Sequence, residues 1–168
     1  KTFSVDATKG AVNLVSLPTG VETISLKAQS GSTGATTFTT GYASGAAEQS
    51  SSTTAVTFNV AGVGTSTTAR VTATLADVQA LTVGAAGTNF LSIGGTQATS
   101  LKITGSGDLN TTIASGSAIR TVDGSAATGA LTLDLSGVST GNTLTSIKTG
   151  SGADTISIAQ AGVKANLT

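Results

Sequence analysis

Apolar and polar residues alternate with a period of two in short runs along most of the chain, the pattern of strands with one buried face. Val21 to Ala28 alternates cleanly, with Val21, Leu26 and either Thr23 or Ile24 competing for the inside. Ala55 to Val60 places Val56, Phe58 and Val60 on one face, and Arg70 to Leu75 continues the theme. Earlier, Thr2–Val5 and Ala11–Leu17 are β-branched or apolar, and Pro18-Thr19-Gly20 closes them as a turn. Ala76-Asp77-Val78-Gln79 is expected to form a turn or helical corner.

From Ala80 onward the runs become regular. They fall at Leu81–Val83, Phe90–Ile93, Ser100–Ile103, Ala118–Val122, Leu131–Leu135, Leu144–Ile147 and Thr155–Ile158, with Gly, Ser, Asn or Asp between them. No helical period intervenes. Short strands at such spacing predict a β-solenoid or a β-rich sandwich. Ser30 to Thr54 is richer in Ser, Thr, Gly and Ala, and two readings stay open there: an irregular excursion, or a further strand from Ala35 to Thr40 around Phe38.

Internal similarity favours the solenoid. Thr104-Gly105-Ser106-Gly107 returns as Thr149-Gly150-Ser151-Gly152, 45 residues later, which is two coils of about 22 residues. Phe3-Ser4-Val5-Asp6-Ala7 likewise resembles Arg120-Thr121-Val122-Asp123-Gly124, and each precedes a Gly-Ala pair. The expected fold is all-β: one parallel β-solenoid-like domain over residues 1–168, with an irregular Ser/Thr/Gly-rich portion at about 30–70.

Composition narrows the function classes. Of 168 residues, 33 are Thr, 21 Ser and 22 Gly, and only 10% are charged, against roughly 25% in ordinary domains. Eight acids balance eight bases, so no field steers nucleic acid or an anionic surface, and no nucleic-acid partner is expected. No apolar run approaches the roughly 20 residues of a membrane helix. Cysteine is absent, which removes a disulfide framework. The chain starts at Lys1 without the signature of a signal peptide and is expected to be a fragment of something longer.

Candidate chemistry concentrates in Thr149–Ser157. With Thr149 in place of the first glycine, this stretch fits the calcium nonapeptide G-G-x-G-x-D-x-U-x. Gly150 and Gly152 would permit the tight turn and present carbonyls, Asp154 would supply a hard carboxylate oxygen, and Ile156 would point inward. The alternative is a plain Gly-Ser-Gly turn whose amides are satisfied by Asp154. Asp108 falls one residue early for the motif after Gly105 and Gly107, and the plain turn is favoured there. Asp123, before Gly124-Ser125, caps a turn or joins a site on a neighbouring coil. Asp134, between Leu133 and Leu135, is expected to face solvent.

The order Leu101-Lys102-Ile103-Thr104-Gly105-Ser106-Gly107-Asp108-Leu109, then Thr121 to Leu133, then Thr149 to Ile156, resembles the RTX-type surface-layer proteins and related secreted adhesins of Gram-negative bacteria, over about the last 90 residues. The resemblance implies export, folding outside the cell with calcium as the possible cofactor, and an extracellular, cell-surface role. It also implies assembly with copies of itself in a lattice or fibre, with cell-surface polysaccharide as a further partner. In a β-roll the ion sits between successive turns, so a single nonapeptide supplies half a site. A calcium-dependent adhesin repeat is the alternative function, and a carbohydrate-active β-helix enzyme a second.

Enzymatic activity is not expected. The chain has no histidine or cysteine, no nucleophile elbow, no phosphate-binding loop and no H-E-x-x-H. Thr-x-Thr pairs of the kind that order water on ice-binding solenoids occur at Thr37/Thr39, Thr65/Thr67, Thr72/Thr74 and Thr143/Thr145; their irregular spacing argues for β-propensity instead.

Overall fold

The computed structural model describes residues 1–6, 10–27, 36–50, 54–139, 141–159 and 166–167. The chain is 57% strand and 2% helix, wound as a parallel β-solenoid. The strands are β1 (Thr2–Asp6), β2 (Val12–Leu17), β3 (Thr23–Lys27), β4 (Thr36–Tyr42), β5 (Ala55–Ala61), β6 (Val71–Leu75), β7 (Ala80–Ala86) and β8 (Thr88–Gly94). They continue as β9 (Ser100–Gly105), β10 (Asp108–Ile113), β11 (Thr121–Ala127), β12 (Leu131–Asp134), β13 (Ser146–Lys148), β14 (Thr155–Ser157) and β15 (Asn166–Leu167). One short helix, α1 (Ala47–Ser50), follows β4. Odd-numbered strands stack into one sheet and even-numbered strands into a second. Every coil therefore contributes one strand to each.

Alternation sets this arrangement. In β5 and β7 every second residue is buried, so each strand sends one face into the space between the sheets. In-register pairing then stacks like on like. Ile24, Phe58, Val83 and Ile103 form one interior row of the first sheet, and the rings of Phe38 and Phe58 stack at 5.3 Å between centroids. The second sheet supplies the row Val71, Leu91, Thr111, Leu133, Ile156. Its one hydroxyl, Thr111 Oγ1, is buried with no hydrogen-bond partner.

Coil length follows the corners. Ala80 pairs with Ser100, 20 residues on; Leu109 pairs with Leu131, 22 residues on. The inferred period of about 22 residues is therefore the coil. In the segment around 30–70, β5 is the strand expected at Ala55–Val60 and β4 answers to the strand reading around Phe38; β5 pairs in register with β3, and β4 pairs with β2 through one register shift. What the segment adds is length, since Thr23 pairs with Thr57 and Thr36 with Val71, 34 and 35 residues apart. Positions 28–35 and 51–53, where part of the excursion was expected, lie outside the described residues.

Some expectations change: the strand expected at Ala118–Val122 begins only at Thr121, as β11. Asp108–Ile113 forms β10, unanticipated because its outward positions are Asp108, Asn110 and Thr112, while Leu109, Thr111 and Ile113 are buried. The similarity of Phe3–Ala7 to Arg120–Gly124 does not mark equivalent positions. Asp123 belongs to the row Thr2, Thr23, Thr57, Thr82, Lys102, Asp123, whereas Asp6 stacks on Lys27.

Candidate functional site: the glycine corner

The corner that joins an odd strand to the following even strand carries a glycine on coil after coil. A Cβ built on Gly107 would meet Gly87 O at 2.4 Å, one on Gly129 would meet Gly107 O at 2.3 Å, and one on Gly152 would meet Gly129 O at 2.3 Å. No real Cβ sits that close to an oxygen, so the column exists because each turn presses its backbone onto the turn below. This is why the Thr-Gly-Ser-Gly tetrapeptide recurs after 45 residues: Gly107 and Gly152 are two layers of one column. Gly150 packs in the same manner, its Cβ position 1.9 Å from Ala127 O and 2.9 Å from Gly124 O.

Polar side chains close the corner where the ladder is interrupted. At the Gly87 level the closing group is Asn89, fully buried. Its Nδ2 donates to Ala86 O (3.0 Å), Gly87 O (3.1 Å) and Asp108 O (3.2 Å), and its Oδ1 accepts from Val63 N–H at 3.2 Å. Sequence reasoning missed this residue; the available signal was an Asn two positions after a corner glycine.

At the Gly129 level two carboxylates take over. Ala130 N–H donates to Asp108 Oδ1 at 2.9 Å, and Leu131 N–H donates to Asp154 Oδ1 at 2.9 Å. Asp108 reaches from the coil before and Asp154 from the coil after, so consecutive amides of one turn are held from opposite sides. The pairs Leu109↔Leu131 and Thr132↔Thr155 put Asp108 one step before the partner of Leu131 and Asp154 one step before the partner of Thr132, which is why the one-residue difference in their spacing from glycine maps onto adjacent amides. The turn-capping alternative thus describes their hydrogen bonds, with the capped amides on a neighbouring coil rather than within the same turn.

Asp123 lies elsewhere. On the outer face of the first sheet it is flanked in register by Lys102 and Lys148, and Oδ1 accepts from Ser125 N–H (3.1 Å) and Ser125 Oγ–H (2.6 Å). Those two bonds, followed by the two lysines, hold its carboxyl below the usual range. Asp134 is similar: bonds from Ser136 lower its pKa, with Arg70 adding to the effect. Arg70 itself spans the outer face of the second sheet, donating to Leu91 O at 3.1 Å and Asn110 O at 2.7 Å. Burial pulls its pKa down while Asp134 pushes it back up.

No family model, curated protein or solved structure matches this chain. The corner must be judged on its own donors.

Those donors are carboxylate and carbonyl oxygens, the set a hard cation such as calcium takes. The oxygens of Asp108 and Asp154 not engaged by the amides, with the carbonyls crowding the glycine column, fit such an ion in kind. Among the described residues no three or more Asp, Glu, His or Cys gather into a metal-type group, so any ion here would lean on backbone carbonyls. The structure brings Asp108, Gly152 and Asp154 to one corner, sets Gly150 against Gly124 and Ala127, and separates Asp123 from the pair.

The Thr-x-Thr pairs resolve unevenly. Thr37 stacks on Thr72 and Thr39 on Thr74 despite 35 residues between them. Thr74 then meets Gly94, so the rank ends after two coils. Thr65/Thr67 and Thr143/Thr145 lie outside the strands. Among the described residues, no helix is long and apolar enough to cross a membrane.

Proposed function

We propose that this chain is a structural, non-catalytic segment of a secreted bacterial surface layer, stacking with copies of itself outside the cell. Calcium at the glycine corner supports the stack, and cell-surface polysaccharide is a further partner. The observation that carries the reading is the stack itself: parallel strands pair in register from coil to coil and each interior row runs on through the layers, a construction that grows by adding units. Asp108 and Asp154 support the calcium part, because each has an oxygen beyond its amide bond, and carboxylate with carbonyl oxygens is the set a hard cation takes.

Negative-stain imaging and light scattering of the purified chain, with calcium and with chelator, test this. Ordered sheets or filaments that form in calcium and dissolve on chelation are expected. A chain that stays monomeric at every calcium concentration would overturn the proposal.

A further inference from the structure

Along the outer face of the first sheet, two clefts lie side by side across the same strands. One, of about 570 Å³, is floored by Thr23, Thr57 and Thr82 and walled by Gly20, Glu22, Tyr42 and Glu48. The other, of about 410 Å³, is floored by Ser25, Asn59, Gly84 and Thr104. The two floors are adjacent outward rows of β3, β5 and β7, the second continuing onto β9. With coils about 4.8 Å apart, the trough runs about 14 Å from β3 to β9. Its depth has local causes. Gly84 has no side chain, and a Cβ there would come 2.3 Å from Asn59 Oδ1, so the gap lets the Asn59 amide lie across the floor. At the other end α1 forms a wall, pinned by the Gly20 N–H to Glu48 Oε1 bond at 2.7 Å.

We propose that this trough binds a neutral polysaccharide chain. The floor is made of hydroxyls, which both donate and accept, and one amide, which does each at a different atom; these match sugar hydroxyls without needing charge. A peptide would gain little, because the backbone groups of the floor strands are consumed in the inter-coil ladders and offer no edge for strand addition. Glu22 and Glu48 line one cleft and Lys27 the other, so the trough lining carries one excess negative charge, which sets acidic glycans and nucleic acids apart from neutral ones. Tyr42 is buried, its hydroxyl donating to Val21 O, so no aromatic platform is available. Binding by a single chain is correspondingly weak, and copies in a lattice would multiply it. This deepens the polysaccharide partner named above and rests on the reading of the chain as a surface protein.

Native electrophoresis in gels cast with dextran, mannan, galactan or xylan, with alginate as the acidic comparison, tests the proposal. Retardation by at least one neutral polymer and none by alginate is expected. Thr82→Lys should weaken it at least tenfold. The fold will tolerate that change, because Lys102 occupies the next position of the same row. Thr112→Lys, on the outer face of the other sheet, should leave retardation unaltered, and Asn59→Ala gives a second reading that adds no bulk. Retardation by none of the four neutral polymers, equal retardation by alginate, or equal loss in Thr112→Lys would overturn it. Assembly is measured separately by imaging, so a chain that binds polysaccharide without forming layers leaves the trough standing, and layers without binding leave assembly standing.

Discussion

The corner at Gly87 and the corner at Gly129 occupy the same place in successive stretches of the solenoid, yet they are closed by opposite means. At Gly87 a neutral amide is swallowed whole: Asn89 is buried and makes four hydrogen bonds to three segments of backbone. At Gly129 two anions approach from outside, and Asp108 and Asp154 each cap one amide of the turn between them. The first solution uses a neutral amide alone. The second leaves one oxygen of each carboxylate outside the amide bonds, and these are the oxygens to which the proposed calcium is assigned.

The comparison breaks most visibly at Asn89. Asn89→Leu keeps the volume but takes the acceptor from the Val63 N–H and the side-chain donor from the Gly87 and Asp108 carbonyls, and a loss of about 3–5 kcal/mol is expected. Chemical denaturation should show a lowered midpoint with an unchanged slope. Gly129→Ala comes next. Its Cβ would sit 2.3 Å from Gly107 O, forcing two coils apart at a cost of about 2–3 kcal/mol, whereas Gly116→Ala, with no atom within 4 Å but φ at +86°, should cost about 1 kcal/mol from backbone strain alone.

A smaller change in the opposite direction is expected in the core. Thr111 stands between Leu91 and Leu133 in an aliphatic row, with its hydroxyl unpartnered. Thr111→Val removes a buried polar group at nearly constant shape and should stabilise by about 1 kcal/mol, read as a rise in melting temperature.

Smallest of all is the pH effect from Asp123 and Asp134. Their pKa values are depressed in the folded chain, so the stability they contribute is present above the unfolded carboxylate value of about 3.9 and is lost as pH falls through the folded values. Ser125→Ala and Ser136→Ala together should flatten the acid limb of the stability profile below about pH 4. Both groups lie on the outer faces, so the change is a shallow one.

Much of this molecule is legible in its alternation. Val56, Phe58 and Val60 point inward as their spacing requires, and the repeated Thr-Gly-Ser-Gly marks two layers of one glycine column. What escapes is whatever depends on stacking across layers. β10 is hidden because half of its residues are polar and its inward row includes Thr111. The Thr37 and Thr72 pairs align only because the longer coil absorbs the extra residues. Asp154 reads as half of a site whose other half is missing downstream, while the structure sets it opposite Asp108, 46 residues upstream. Outside the repeated tetrapeptide, no local pattern joins side chains such as Asp108 and Asp154 two coils apart when the coil length varies from 20 to 35.

The most direct test of the account is thermal unfolding of the intact chain in calcium and in chelator, beside the Asp108→Asn/Asp154→Asn double variant. Calcium should raise the melting temperature of the parent chain by several degrees, reversibly on chelation, and leave the double variant unmoved. Equal melting temperatures for the parent chain in calcium and in chelator, or a calcium shift that survives in the double variant, would contradict the assignment of the Gly129 corner as the place where an ion supports the stack.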